Sequence, residues 1–295
     1  MSEEPAAGVA LPLDAVSAEP PGADGGAEVT GVSAPVPASS PAPLPGSPLA
    51  GRIALITGGT QGIGLGVAEA FLAAGARVAV VGRDKAKMDA VVESLAPLGE
   101  IIGIQADVTV VAEAARIVSA TVDHFGGLDI LATVAGVFEG APLLDATEAD
   151  YDLQFDLNVK GTYFCAQAAA RHLVDQGRRG KIITVGSVAG LRAFPGVSVY
   201  GATKAAVGFL TQVLAGELAP HGINVNCVVP GSIDMPTNKL LSPPGAAEAS
   251  AAGTPARRNG LPVDVAAAAV YLASDSADFV HGTSLVVDGG VAAVG

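Results

Sequence analysis

The stretch I-A-L-I-T-G-G-T-Q-G-I-G, Ile53 to Gly64, sets the architecture of this chain. Ile53–Ile56 is an apolar run of buried-strand type, and from Ile63 to Ala74 apolar residues recur at helical spacing. Between them lies a glycine-rich turn. Gly58, Gly62 and Gly64 let the backbone bend sharply and approach a ligand closely. The helix start then offers unpaired N–H groups and a positive dipole end to a pyrophosphate. Gly58, Thr60, Gln61, Gly62, Ile63 and Gly64 are therefore candidate cofactor contacts. Their spacing, G-x-x-x-G-x-G, differs from the G-x-G-x-x-G of other dinucleotide folds.

Outward from this unit, strands and helices alternate. The patterning predicts strands at Ile53–Ile56, Arg77–Val81, Ile101–Gln105, Leu128–Val134, Lys181–Val185, Asn224–Val229 and Ser284–Val287. It predicts helices at Ile63–Ala74, Lys85–Leu95, Val111–Phe125, Tyr151–Gln176, Val199–Ala219 and Val263–Ala273. Such alternation means a doubly wound parallel sheet of about seven strands, with helices on both faces in three layers. Ligands of such a sheet bind beyond the carboxyl ends of the strands. Gly58–Gly64, Ala135-Gly136, Ser187 and Pro230-Gly231 all follow strand ends, which places them on one rim.

A second motif, Y-G-A-T-K, puts Tyr200 and Lys204 on one helix face about one turn apart. A free tyrosine ionises only near pH ~10. A fixed cation one turn away is expected to favour the phenolate and bring that value towards neutrality. Ser187, thirteen residues upstream, can hydrogen-bond the oxygen of a carbonyl or alcohol while the tyrosine gives or takes its proton. Lys204 has Ala202, Ala205, Ala206 and Val207 for neighbours, so the helix is packed on most sides and a lysine there needs a reason.

In this order, and about 140 residues apart, the two motifs resemble those of the short-chain dehydrogenase/reductase family. The resemblance runs from Leu49 to Val291. Ala106-Asp107-Val108 looks like the family's step that holds the adenine, and Asn158 in L-N-V-K-G looks like its catalytic asparagine. Pro230-Gly231, with Ile233 just beyond, looks like the turn beside the nicotinamide, and Asp288-Gly289-Gly290 like the closing D-G-G. The resemblance implies a Rossmann-type fold and hydride transfer between a nicotinamide and a carbonyl carbon. It makes Tyr200 the acid in reduction and the base in oxidation, has Lys204 lower the tyrosine pKa and bind the nicotinamide ribose, and sets Ser187 on the substrate oxygen. It also implies that Asn158 distorts its helix and holds a water connecting to the lysine. One departure is visible: the family's N-N-A-G reads Thr133-Val134-Ala135-Gly136 here. The missing amides remove hydrogen bonds that steady the central strand, while Ala135 and Gly136 still admit a cofactor closely.

Cofactor choice turns on Val80-Val81-Gly82-Arg83-Asp84. An acid at the strand tip would select NAD through the ribose 2′-OH. The tip instead holds Val81 and Gly82, then Arg83, whose guanidinium can pair with a 2′-phosphate. NADP(H) is therefore favoured over NAD(H). Asp84 is the counter-argument, although its position suits the N-cap of the next helix, and Gln61 stands where many NADP-dependent relatives carry a base.

Residues 1–48 are rich in Pro, Ala, Gly and Ser, hold six acids and lack Lys and Arg. They read as a disordered extension preceding a single catalytic domain over 49–295. The extension has neither the basic start of a secretory signal nor the arginines of a mitochondrial presequence. A net charge of −13 argues against nucleic acid, and no apolar run reaches the ~20 residues of a membrane span. Arg178-Arg179 and Arg257-Arg258 read as solvated loop charges. Cys165 and Cys227 form no C-x-x-C, so buried thiols in a reducing cytoplasm are expected, not zinc ligands or a disulfide.

The substrate pocket is expected from Gly136–Leu143, Val188–Val197 and Ser232–Gly260, with Phe138, Leu191, Phe194, Pro195 and Met235 making it mainly apolar. Ser242–Gly260 has the composition of a mobile lid. The expected substrate is a small to medium ketone or secondary alcohol. A 3-oxoacyl-carrier-protein reductase, or a dinucleotide sensor without catalysis, are the rival readings. The apolar helices Tyr151–Gln176 and Val199–Ala219 suggest burial against further subunits, and the resemblance implies a homotetramer.

Overall fold

The computed structural model describes residues 46–238, 241 and 243–294, so the expected extension lies almost wholly outside the described residues. Seven parallel strands form one sheet: β1 (Ile53–Thr57), β2 (Arg77–Gly82), β3 (Ile101–Gln105), β4 (Ile130–Thr133), β5 (Gly180–Val185), β6 (Ile223–Pro230) and β7 (Ser284–Val287). Their order is β3-β2-β1-β4-β5-β6-β7. The order reverses between β1 and β4, which opens a crevice beyond the ends of those two strands. The helices are α1 (Gly62–Ala73), α2 (Lys85–Leu95), α3 (Val111–Phe125), α4 (Glu148–Gln154), α5 (Thr162–Asp175), α6 (Ser198–Leu218), α7 (Ala246–Gly253) and α8 (Pro262–Ala273).

The two-residue period of a strand divides the core into two layers. Ala54 and Ile56 of β1 pack with Val67, Phe71, Val265 and Ala269, from α1 and α8. Ile53 and Leu55 face the other way, onto Ile117, Phe125, Cys165 and Leu173 from α3 and α5. Cutting a fully buried aromatic such as Phe71 to alanine costs about 3–5 kcal/mol.

One expectation needs correction here. The strand expected over Leu128–Val134 is laddered only over Ile130–Thr133. Asp129 instead spends its carboxylate on the Ile53 N–H (2.9 Å) and on Arg178 (2.6 Å). The Arg178 and Arg179 side chains are solvent-exposed as expected, and each also holds an ion pair, Arg179 with Asp278 at 3.0 Å. The segment expected to have a lid's composition contains α7, an alanine-rich helix whose N-cap, Gly245, lies in the left-handed region (φ 78°).

Candidate active site

At the carboxyl ends of the strands lies a cleft of about 850 Å³. The glycine turn forms its floor. Gly58 has φ +70°, and a Cβ there would stand 2.7 Å from the Ala135 Cα, so only glycine lets the β1 and β4 ends come together. The Thr57 hydroxyl accepts from the Ala135 N–H (3.2 Å), tying the same two ends. Gln61 precedes α1 without a side-chain cap, and the first turn has no acid. That helix start is left open to an anion, as a pyrophosphate requires.

On the far side of the floor, Arg83 is largely exposed and its guanidinium lies 4.0 Å from the Asp107 carboxylate. Burial opposes ionisation of Asp107, but hydrogen bonds from Thr109 and the charge of Arg83 outweigh it and lower its pKa. Asp84 accepts from the Lys87 N–H (3.1 Å) as the N-cap of α2.

Ser187 follows β5 and caps a 3-10 turn, Val188–Gly190, by accepting from the Ala189 N–H at 3.2 Å. This turn packs directly on α6. A Cβ on Gly190 would stand 2.6 Å from the Ala205 nitrogen, so glycine there brings Ser187 against the helix carrying Tyr200 and Lys204. The Lys204 Nζ lies 5.7 Å from the centre of the Tyr200 ring and donates to the Val185 carbonyl at 2.9 Å. Burial drives the Lys204 pKa down to about 8. Burial also pushes the Tyr200 phenol up, and a hydrogen bond from Ser187 only partly opposes it. The lowering expected from the lysine is thus not found in the protein alone, because both groups lose solvent together.

Asn158 stands behind this group. The helix expected over Tyr151–Gln176 is interrupted by a π-helical turn, Phe155–Gly161, between α4 and α5. The wide turn rotates Asn158 inward, where it is fully buried. Its Oδ1 accepts from the Val137 N–H (2.8 Å), and its Nδ2 donates to the Val137 carbonyl (2.9 Å) and to the Thr203 hydroxyl (3.1 Å). Thr203 in turn donates to the Tyr200 carbonyl at 2.7 Å. Thr203 is a link that the sequence reading passed over. Its signal was the i,i+3 spacing within Y-G-A-T-K, which puts it within reach of the tyrosine carbonyl.

Gly58, Thr60, Gln61, Gly62, Ile63, Gly64, Arg83, Asp107, Val108, Ala135, Gly136, Ser187, Tyr200, Lys204, Pro230, Gly231 and Ile233 all line the cleft; Asn158 alone of the candidates does not. Phe138, Phe194 and Pro195 line it beyond Tyr200 and Met235 lines it beside the glycine turn, whereas Leu191 is half exposed and off the wall. Glu139 lines the cleft too, unremarked in the sequence. At the N-N-A-G departure, the buried Thr133 hydroxyl has no hydrogen-bond partner among the described residues.

A family model described as enoyl-(acyl carrier protein) reductase matches residues 58–292. The chain is 37% identical over 249 residues to a galactitol 2-dehydrogenase of Agrobacterium fabrum, covering 81% of this chain and 96% of that one. It is 38% identical over 258 residues to a sorbitol dehydrogenase of Cereibacter sphaeroides, covering 82% and 98%. A crystal structure of a short-chain type dehydrogenase/reductase from Mycobacterium marinum superposes with a TM-score of 0.78 at 37% identity, covering 83% and 97%. With this sheet order, this glycine turn and these relatives, the chain belongs to the short-chain dehydrogenase/reductase family of NAD(P)-dependent oxidoreductases.

Proposed function

We propose that the chain interconverts a small ketone and its secondary alcohol with NADP(H), Tyr200 moving the proton at the substrate oxygen. The bound nicotinamide supplies or accepts the hydride. Ser187 holds the substrate oxygen by a hydrogen bond. Lys204, charged below pH about 8, sets a positive field beside the phenol. Asn158 and Thr203 fix the backbone from which Tyr200 projects. The single observation behind this reading is the convergence of Ser187, Tyr200 and Lys204 on one cleft with an uncapped glycine turn. A phenol held protonated suits the acid of carbonyl reduction.

Arg83 at the β2 end favours NADP(H), since Asp84 is occupied as a cap. Arg192 donates to the Val291 carbonyl and Arg258 pairs with Asp264 (2.7 Å), so neither supports a basic mouth for a carrier-protein thioester. α5 and α6 expose Tyr163, Val174, Phe209 and Val213, and Tyr163 and Val174 border a groove of about 250 Å³. These residues support burial against a second copy within a homotetramer, and the buried free thiols Cys165 and Cys227 support a cytoplasmic location. A mass near 28.9 kDa in solution would count against the tetramer. The enzymatic reading is tested by cofactor oxidation over a carbonyl panel with NADPH and NADH. It expects turnover with NADPH preferred, and no turnover with either cofactor contradicts it.

A further inference from the structure

Two of the relatives named above act, by their names, on polyols. The substrate end of this cleft has a different chemistry. Phe138 meets the Tyr200 ring edge-on, with centroids 4.9 Å apart and planes at 78°. Phe194, Pro195 and Val197 continue the wall from the loop before α6. This wall is pre-formed. Ala141 and Val197 make a parallel bridge between the two loops, and a Cβ on Gly140 would meet both the Phe138 ring (3.2 Å) and the Gly196 carbonyl (3.3 Å).

The nearby amides are engaged with backbone. Gln154 is fully buried, accepting from the Glu139 N–H (3.3 Å) and donating to the Asp150 carbonyl (3.2 Å). Asn238 donates to the Ile233 carbonyl at 2.8 Å. Ser187 and Tyr200 serve the reacting oxygen. A hexitol carries many further hydroxyls, each losing water on entry and each needing a partner. Glu139, Ser232 and Thr237 also line the cleft, too few side chains to match them. Flat aromatic and aliphatic walls suit hydrocarbon instead.

We infer that the substrate is a compact ketone or secondary alcohol whose carbonyl is flanked by an apolar ring, and that polyols and keto sugars are poor substrates. This rests on the oxidoreductase reading proposed above. The test compares kcat/KM of the full chain for 2-tetralone and D-fructose with NADPH and NADH, together with sorbitol and galactitol oxidation. The expected result is a preference for 2-tetralone of about 10²-fold or more, the scale on which an apolar pocket discriminates against added hydroxyls. Polyol or keto-sugar turnover equal to or above that of 2-tetralone overturns the inference and leaves the oxidoreductase reading intact. Absence of turnover on every compound overturns both.

A variant sharpens the result. Phe194→Ala is expected to lower kcat/KM for 2-tetralone relative to 2-butanone by about tenfold, the loss typical of a truncated aromatic anchor. An equal fall on both ketones contradicts an apolar wall that selects. Binding without turnover gives the same ordering: 2-naphthol raises the Tm and sorbitol at equal concentration does not, and the reverse contradicts the inference.

Discussion

Two lysines at opposite ends of β5 are equally hidden, Lys181 and Lys204, each 7% exposed, yet their surroundings differ. Lys181, at the start of the strand, donates to the Asp278 carboxylate (2.6 Å) and the Asn224 side chain (3.2 Å). Lys204, at the strand's carboxyl end, has one neutral carbonyl and no carboxylate within ion-pair distance among the described residues. A buried cation with its countercharge holds a structure together. One without it is held at a cost, and its depressed pKa marks a place where charge is wanted for something else.

Exchanging the lysines for methionine breaks the comparison most sharply. Lys204→Met is expected to lower kcat by about 10³-fold with the fold intact, within the range of acid–base assistance. Lys181→Met is expected to leave kcat of the folded enzyme within about twofold but to destabilise it by about 1–3 kcal/mol, the cost of losing the ion pair with Asp278, which keeps Arg179, and of leaving the Asn224 oxygen without its donor. Urea unfolding and steady-state kinetics on both variants check this. The pH dependence separates them further. Folding favours neutral Lys204, so between pH about 8 and the ordinary lysine range the unfolded chain binds more protons. Stability from this group therefore rises with pH across that window, and Lys204→Met erases the rise.

Smaller effects test what surrounds the unpaired lysine. Arg83→Ser should raise the KM for NADPH about tenfold to a hundredfold and leave that for NADH nearly unchanged, since only a 2′-phosphate uses the guanidinium. Thr203→Val, which removes the hydroxyl between Asn158 and the Tyr200 carbonyl, should lower kcat about tenfold by misplacing the phenol. Thr203→Ser should restore it, with cofactor KM steady in both. The smallest effect is expected at Thr133. Its hydroxyl has no partner, so Thr133→Val should be neutral or stabilising by up to about 1 kcal/mol in thermal unfolding.

The Lys181 end of the molecule was legible in pattern and the Lys204 end in motif, for different reasons. Helices Lys85–Leu95 and Val111–Phe125 and strand Ile101–Gln105 fall where apolar periodicity puts them, because burial alone decides them. The Tyr200–Lys204 pair and the glycine turn were legible because their chemistry fixes residue type and spacing. The π-turn at Asn158 was legible only through the family resemblance, which implies a distorted helix there; one widened turn leaves an apolar pattern that still reads as one long helix. The raised phenol pKa was also out of reach: it depends on how much water two neighbouring groups lose together, which spacing does not encode. The pairing of Arg178 with Asp129, across 49 residues, is likewise a product of the fold.

The central claim is that Tyr200 exchanges the proton while its neighbours hold and charge the site. Turnover of 2-tetralone with NADPH by Tyr200→Phe, measured beside the Kd for NADPH, tests it most directly. The account predicts a fall in kcat of about 10³-fold with the Kd within about threefold. A variant that keeps more than about a tenth of wild-type kcat would contradict it.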